Sequence, residues 1–219
     1  MSRKLPAVHQ DLRLERGARA RSEILRAAAQ SFATHGLEGA RTEAIAGAAK
    51  VNKALLFYHF KTKNALFSAV VEHAIGDVHR SLSDLLSSPA PPQQIMVQYL
   101  NRFFEAISSS PDLGCLIHRA VLSDSKLAER LAQKYFIPRF RKLVALIERG
   151  VREGDFRRVD AFQTAISLNA LVIFSLSGIH AVKNIDGISL LSKEHLGRRK
   201  AAVLDFVRHG LFRDPEANS

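Results

Sequence analysis

Apolar residues along this chain recur at spacings of three and four, the period of one face of an α-helix, and strict alternation is scarce. The first such face holds Ile24, Leu25, Ala28 and Phe32 in a helix predicted over 18–35, with Gly36 at the position where a left-handed residue ends a helix. A short helix follows. Thr42 is expected as its N-cap, Glu43 sits in the favourable first turn, and Ile45, Ala46 and Ala49 face inward. The chain turns at Lys50 and Val51. A third helix, capped by Asn52, covers 53–59, and a fourth runs from about Thr62 or Lys63 to Leu86. Its apolar face is Leu66, Phe67, Val70, Val71, Ala74, Val78, Leu82 and Leu85. The run Ser87-Ser88-Pro89-Ala90-Pro91-Pro92 breaks the pattern.

Beyond the break the period predicts helices over 93–109, 113–123, 126–153, 160–183 and 193–212. Pro138 marks the place for a kink, and 184–189 is expected to be a loop. The expected fold is all-α, of about nine helices. It divides into a basic flexible arm (1–17), a head of short helices (18–63) and a larger helical body (64–213). No internal repeat is visible.

Composition narrows the function classes. The chain has 219 residues, 47% of them hydrophobic, which is ample for a core. The single cysteine, Cys115, forms no internal disulfide, reads as a small buried hydrophobe and fits a reducing compartment, so a cytoplasmic location is expected. No signal-peptide pattern opens the sequence. Residues 161–182 carry no Asp, Glu, Lys or Arg, but Gln163, Thr164, Ser167, Asn169, Ser175, Ser177 and His180 interrupt them, so a buried or interface helix is expected rather than a membrane span. His73 and His118 lack the spaced partners of a metal site or triad. No nucleophile–base arrangement or phosphate loop is present, so neither enzyme, metal nor cofactor is expected.

Charge points toward a polyanion. The net charge is +11, and residues 1–65 carry 12 Lys/Arg against 5 Asp/Glu. Arg13, Arg16, Arg19 and Arg21 lie before or within the first helical turn, where positive charge opposes the helix dipole. A minor-groove role and a solubilising tail are equal readings of them. Two short helices with a tight turn, braced by a longer one, describe a helix-turn-helix whose second helix enters the major groove. On that helix Leu56 and Phe60 pack inward, leaving Lys53, Ala54, Leu55, Tyr58 and His59 outward. Ala54 permits close approach, Leu55 suits a thymine methyl, and Lys53 donates to guanine or phosphate. Lys61 and Lys63 follow where the chain would pass the backbone. Taken alone, Tyr58 and His59 read equally well as surface or packing residues.

The block Thr42-Glu43-Ala44-Ile45-Ala46, then Ala49-Lys50-Val51-Asn52-Lys53 and Leu55-Leu56-Phe57-Tyr58-His59-Phe60-Lys61-Thr62-Lys63-Asn64-Ala65-Leu66, resembles the TetR family of bacterial regulators. Ile24, Ala27, Ala28, Phe32 and Gly36 extend the resemblance through the first helix, over about residues 20–70. Beyond it, length, helix count and the run from Arg152 to Arg157 agree. The resemblance implies a three-helix DNA-binding head and a larger ligand-binding, dimerising body. It gives Thr42 the role of capping the second helix and bonding phosphate. It places Lys53, Tyr58 and His59 on bases and phosphates, and Lys63 at the DNA backbone. Asn52, Ala54, Leu55, Phe57 and Lys61 complete the expected contact set. The sequence departs from the family pattern at Lys50 and Ala54 (usually glycine), Phe57 (usually tyrosine) and Asn64 (usually glutamate). Lys50 must therefore adapt its turn or hold a strained φ.

In the body, Ile95, Met96, Tyr99, Leu100, Phe103, Phe104 and Ile107 form a stripe that by itself is core. The resemblance makes part of it a pocket wall, with Tyr99, Phe103, His118 and Asn169 as candidates. Leu168, Leu171, Val172, Leu176 and Ile179, with Val203, Phe206 and Val207, are expected at a dimer interface, against the plain alternative of an intrachain core. The function expected is a homodimeric repressor, released from a palindromic double-stranded DNA operator when a small-molecule effector tilts the fourth helix. A helical enzyme and a protein-binding module are the alternatives.

Overall fold

The computed structural model describes residues 7–109, 125–181, 184–185, 188–189 and 192–213, and the side chains of 15–106, 125–173 and 192–213. The helices are α1 (Ala7–Gly39), α2 (Thr42–Ala48), α3 (Lys53–Phe60), α4 (Lys63–Leu86), α5 (Pro92–Ser109), α6 (Ser125–Leu131), α7 (Ile137–Glu153), α8 (Ala161–Ala181) and α9 (Lys193–Leu211). The fold is all-α, as the hydrophobic period predicts. The expected loop at 184–189 instead contains a two-residue antiparallel pair, β1 (Asn184–Ile185) with β2 (Ile188–Ser189), in register Asn184 to Ser189 and Ile185 to Ile188. The helix expected over 113–123 lies outside the described residues.

The first helix starts earlier than its apolar period: residues 7–17, expected as a flexible arm, are already helical. Gly36 adopts φ 71°, which interrupts the regular turns at the predicted place, and one further turn carries the chain to Gly39. The chain divides into two compact units between His73 and Ala74, inside α4, and not at the start of that helix. The reason is packing. Leu66, Phe67, Val70 and Val71 are at most 3% exposed, and Phe67 meets Phe32 edge-to-face at 5.2 Å, so the first turns of α4 complete the core of the head. With them are buried Ile24, Leu25, Ala28 and Phe32 of α1, Ile45 and Ala46 of α2, and Leu56 and Phe60 of α3.

The second unit closes around Leu82, Leu85 and Leu86 of α4, the α5 stripe from Ile95 to Phe104, Leu143, Leu146 and Ile147 of α7, Phe156, the inner face of α8, and Val203, Val207 and Leu211 of α9. The long helix expected over 126–153 does not simply kink. A five-residue π-helical turn, Ala132–Phe136, separates α6 from α7. Pro138 follows at once, with no N–H for the carbonyl four residues back, and a widened turn absorbs that missing bond.

Candidate nucleic-acid interface

Three elements of the head place α3. Leu56 and Phe60, on one of its faces, are 0% and 4% exposed, and the Arg21 guanidinium lies 5.2 Å from the centre of the Phe60 ring. Asn52 caps the helix: its side-chain oxygen accepts from the Leu55 amide at 2.8 Å. The turn between α2 and α3 is a Schellman closure. The Val51 amide donates to the Ala46 carbonyl and the Lys50 amide to the Gly47 carbonyl, both at 3.0 Å. That geometry puts Lys50 at φ 55°, the strained alternative foreseen for a lysine standing at a glycine position.

The residues expected to touch DNA fall into two groups. Tyr58 is 70% exposed, and Lys53, Ala54 and Lys61 are exposed with it. The Lys61 ammonium sits 5.5 Å from the Tyr58 ring centre, so a phenol and a cation share one outward patch. Leu55, Phe57 and His59 are half-buried. The Nε2 of His59 is enclosed without a hydrogen-bond partner, and its ring stands edge-on to Tyr58 at 5.4 Å.

Three side chains are placed differently from expectation. Thr42 does not cap α2. Arg41 holds the N-cap position with no side-chain bond to the helix, and the Thr42 hydroxyl donates to the Glu43 carboxylate at 3.3 Å. Its extended neighbour Arg41 takes the half-in position because Thr42 already has helical backbone. Lys53 is ion-paired with Glu43 across the two helices and lies 5.8 Å from the Phe57 ring centre. The hydrogen bond from Lys53 is the largest cause holding the Glu43 carboxyl below its ordinary range. The Lys63 ammonium turns back to the end of α1, donating to the carbonyls of Glu38 at 3.2 Å and Ala40 at 3.5 Å. The α4 cap is Thr62, whose hydroxyl oxygen accepts from the Ala65 amide at 3.0 Å.

In the second unit, Tyr99 and Phe103 are buried and meet edge-on at 5.9 Å. The Tyr99 hydroxyl has no partner, and burial pushes its pKa up. Asn169 is buried, its amide nitrogen donating to the Ala165 carbonyl at 2.8 Å and its oxygen unpartnered. His118 and Cys115 lie outside the described residues. Of the residues expected at a dimer interface, Leu168, Val172, Val203 and Val207 are at most 4% exposed because they face the chain's own core, the plain alternative for them. Leu171 is half-buried, Phe206 is 66% exposed, and the side chains of Leu176 and Ile179 lie outside the described set. Among the described residues, the large apolar side chains that these two helices expose are Phe162, Ile166 and Ile173 on α8 and Phe206 on α9.

Sequence reasoning missed Arg139. It is 9% exposed and stacks over Phe103 at 4.9 Å and Phe136 at 5.9 Å. The signal was available: Arg139 shares the helical face of Leu143, Leu146, Ile147 and Gly150, all buried. Among the described residues no helix is long and apolar enough to cross a membrane.

Comparison with known proteins agrees with this geometry. Residues 24–70 match the model for bacterial regulatory proteins of the tetR family, and residues 92–207 match a tetracyclin repressor-like C-terminal domain. The HTH-type transcriptional repressor NicS of Pseudomonas putida is 24% identical over 214 residues, 92% of this chain and 97% of that protein. The HTH-type transcriptional repressor KstR2 of Rhodococcus jostii is 26% identical over 145 residues, 63% of this chain and 68% of that one. Among solved structures, a TetR-family regulator of Mesorhizobium loti superposes with a TM-score of 0.68 at 22% identity, covering 90% of this chain and 99% of that one. A transcriptional regulator of Saccharomonospora viridis, solved in complex with choline, gives 0.71 at 20% identity, covering 90% and 100%. With both of its units matched in this way, the chain belongs to the tetR family of bacterial regulatory proteins and is a DNA-binding transcriptional regulator, not an enzyme.

Proposed function

We propose that the chain is a homodimeric repressor that reads a palindromic operator through α3 and leaves it when a small-molecule effector occupies the helical body. The observation that carries the DNA reading is the outer face of α3. Tyr58, 70% exposed, and its neighbours Ala54 and Lys61 have no part in the core, so they are at liberty to meet bases and phosphates, while Lys53, exposed beside them, does so by exchanging Glu43 for DNA. Asn52, Leu55, Phe57 and His59 support that face from within half-buried or capping positions. Thr42 and Lys63 flank it and reach DNA only by exchanging their present partners. Repression is supported by the relatives, which are named repressors.

Dimerisation is supported by an apolar outer surface. Phe162, Ile166 and Ile173 follow one side of α8, and Phe206 stands on α9. Pairing two copies sets two recognition helices on half-sites related by a two-fold axis. Effector release requires only that the ligand prefer the body's DNA-free state.

The test is fluorescence anisotropy with DNA from upstream of the chain's own coding region, against scrambled DNA, across a salt series. Sequence-selective binding that weakens steeply with salt is expected. The double variant Lys53→Ala with Tyr58→Ala loses that binding and keeps its melting temperature. A variant that still binds selectively removes the assignment of α3 as the reading surface.

A further inference from the structure

One nearly buried charge of the second unit has no carboxylate partner among the described residues. Arg139 stands just after Pro138 and is 9% exposed. Its guanidinium lies over two neutral rings, 4.9 Å from the centre of Phe103 and 5.9 Å from that of Phe136. Among the described residues no carboxylate pairs with it, and its Nε is buried without a hydrogen-bond partner. The charged groups around it add no anion to spare. Arg80 is paired with Asp77, Lys142 donates to the Ser83 carbonyl, and His79 is held toward its neutral form, first by burial. A buried lysine or carboxyl escapes such a situation by shifting its pKa and neutralising. Arginine has no such escape.

The same aromatic ring serves a second unpartnered group. Tyr99 meets Phe103 edge-on at 5.9 Å, and its hydroxyl is enclosed with nothing to donate to. The π-helical turn that ends at Phe136 brings that ring to the guanidinium, and such turns accumulate at ligand sites. A permanent cation, a spare hydroxyl donor and an aromatic collar thus converge on Phe103. One uncompensated charge calls for one negative charge, and a guanidinium takes a carboxylate through two parallel N–H bonds.

We propose that the effector site of the body is centred on Arg139 and that its ligand class is the small organic carboxylate. The carboxylate sits on the guanidinium, the Tyr99 hydroxyl donates a further hydrogen bond, and the apolar remainder lies against Phe103 and Phe136. This deepens the effector-responsive reading above and rests on it.

The experiment is calorimetric titration of the full chain, without DNA, with benzoate and butyrate, their amides benzamide and butyramide, inorganic phosphate, and choline as a cationic control. Each acid is expected to bind about tenfold or more tighter than its amide, and tighter than phosphate or choline. Arg139→Met erases the difference between acid and amide, Arg139→Lys keeps part of it, and Tyr99→Phe weakens acid binding by roughly threefold to tenfold. Arg139→Met also melts at or above the wild-type temperature, because an unpaired buried charge has been replaced by an apolar chain. This separates lost binding from lost folding. Wild-type protein without an acid preference, including one that binds none of the probes or favours phosphate, overturns the proposal. So does an Arg139→Met variant that retains the preference. A chain that prefers acids yet binds no operator leaves this site standing and removes the regulatory reading instead.

Discussion

Two glycine-to-alanine changes in helices of the same unit are expected to move stability in opposite directions. At Gly150, on α7, a Cβ would lie 2.5 Å from Cε2 and 2.7 Å from Cγ of Phe156, and closer still to Cδ2. The Phe156 ring has nowhere cheap to go. It is 2% exposed, stacked on Phe212 at 5.4 Å and 11°, and its amide donates to the Gly150 carbonyl at 3.0 Å. Around it the Arg157 amide donates to Leu211 and the Arg213 amide to Asp155, both at 2.9 Å, so the end of α7 and the end of α9 are clamped together. Forcing a methyl into that contact costs about 1–3 kcal/mol of overpacking, and a displaced ring forfeits about 0.5–1.5 kcal/mol of aromatic pairing. The better helix propensity of alanine returns up to ~1 kcal/mol. Gly150→Ala is therefore destabilised by about 1–3 kcal/mol.

Gly197, on α9, has nothing within 4 Å of the same added atom, so Gly197→Ala keeps only the propensity gain, about 0.5–1 kcal/mol. For a chain of this size the two variants should melt roughly 3–16 °C apart. The assay is thermal unfolding followed by circular dichroism at one protein concentration, since association shifts the midpoint. The double variant Gly150→Ala with Phe156→Leu should be less damaged than the two single losses added together. If Gly150→Ala melts at or above wild type, the ring is not seated on the helix backbone and the packing argument fails.

The head and the body each offer a further check. Asn52→Ala removes the side-chain cap of α3, at a cost of about 1 kcal/mol, and should speed hydrogen exchange of the Leu55 amide while weakening operator binding. An unchanged exchange rate would mean that the cap bears little on the order of α3. His79 gives a pH signature. Burial first, then Arg139, Lys142 and Arg80, lower its pKa below 6.5, against a backbone bond at Tyr135 that raises it. The unfolded chain then takes the proton first, so the stability His79 contributes is present above pH 6.5 and is lost as pH falls through the lowered value. The melting temperature of wild type should drop more between pH 7.5 and 5.5 than that of His79→Gln. Equal drops would mean that His79 titrates normally.

The division of labour between sequence and tertiary structure follows from what each interaction depends on. Helix existence, the helix-turn-helix spacing and the ends at Asn52, Gly36 and Pro92 rest on local period and local chemistry, so they were legible along the chain. The strain at Lys50 was legible too, because a Schellman closure demands a positive φ of whatever residue stands there. Partners were not. Thr42 looks like a cap until the helix is seen to begin on it, and Lys53 and Lys63 look like phosphate contacts until Glu43 and the end of α1 are found beside them. An apolar helix such as α8 has two faces that hydropathy cannot tell apart. Only packing turned Leu168 and Val172 inward and left Phe162 and Ile166 outside. Arg139 makes the same point for charge. Its place on the buried face of α7 is written in the spacing, but that none of the described carboxylates pairs with it depends on residues from α4 and α5 that only the folded chain brings near.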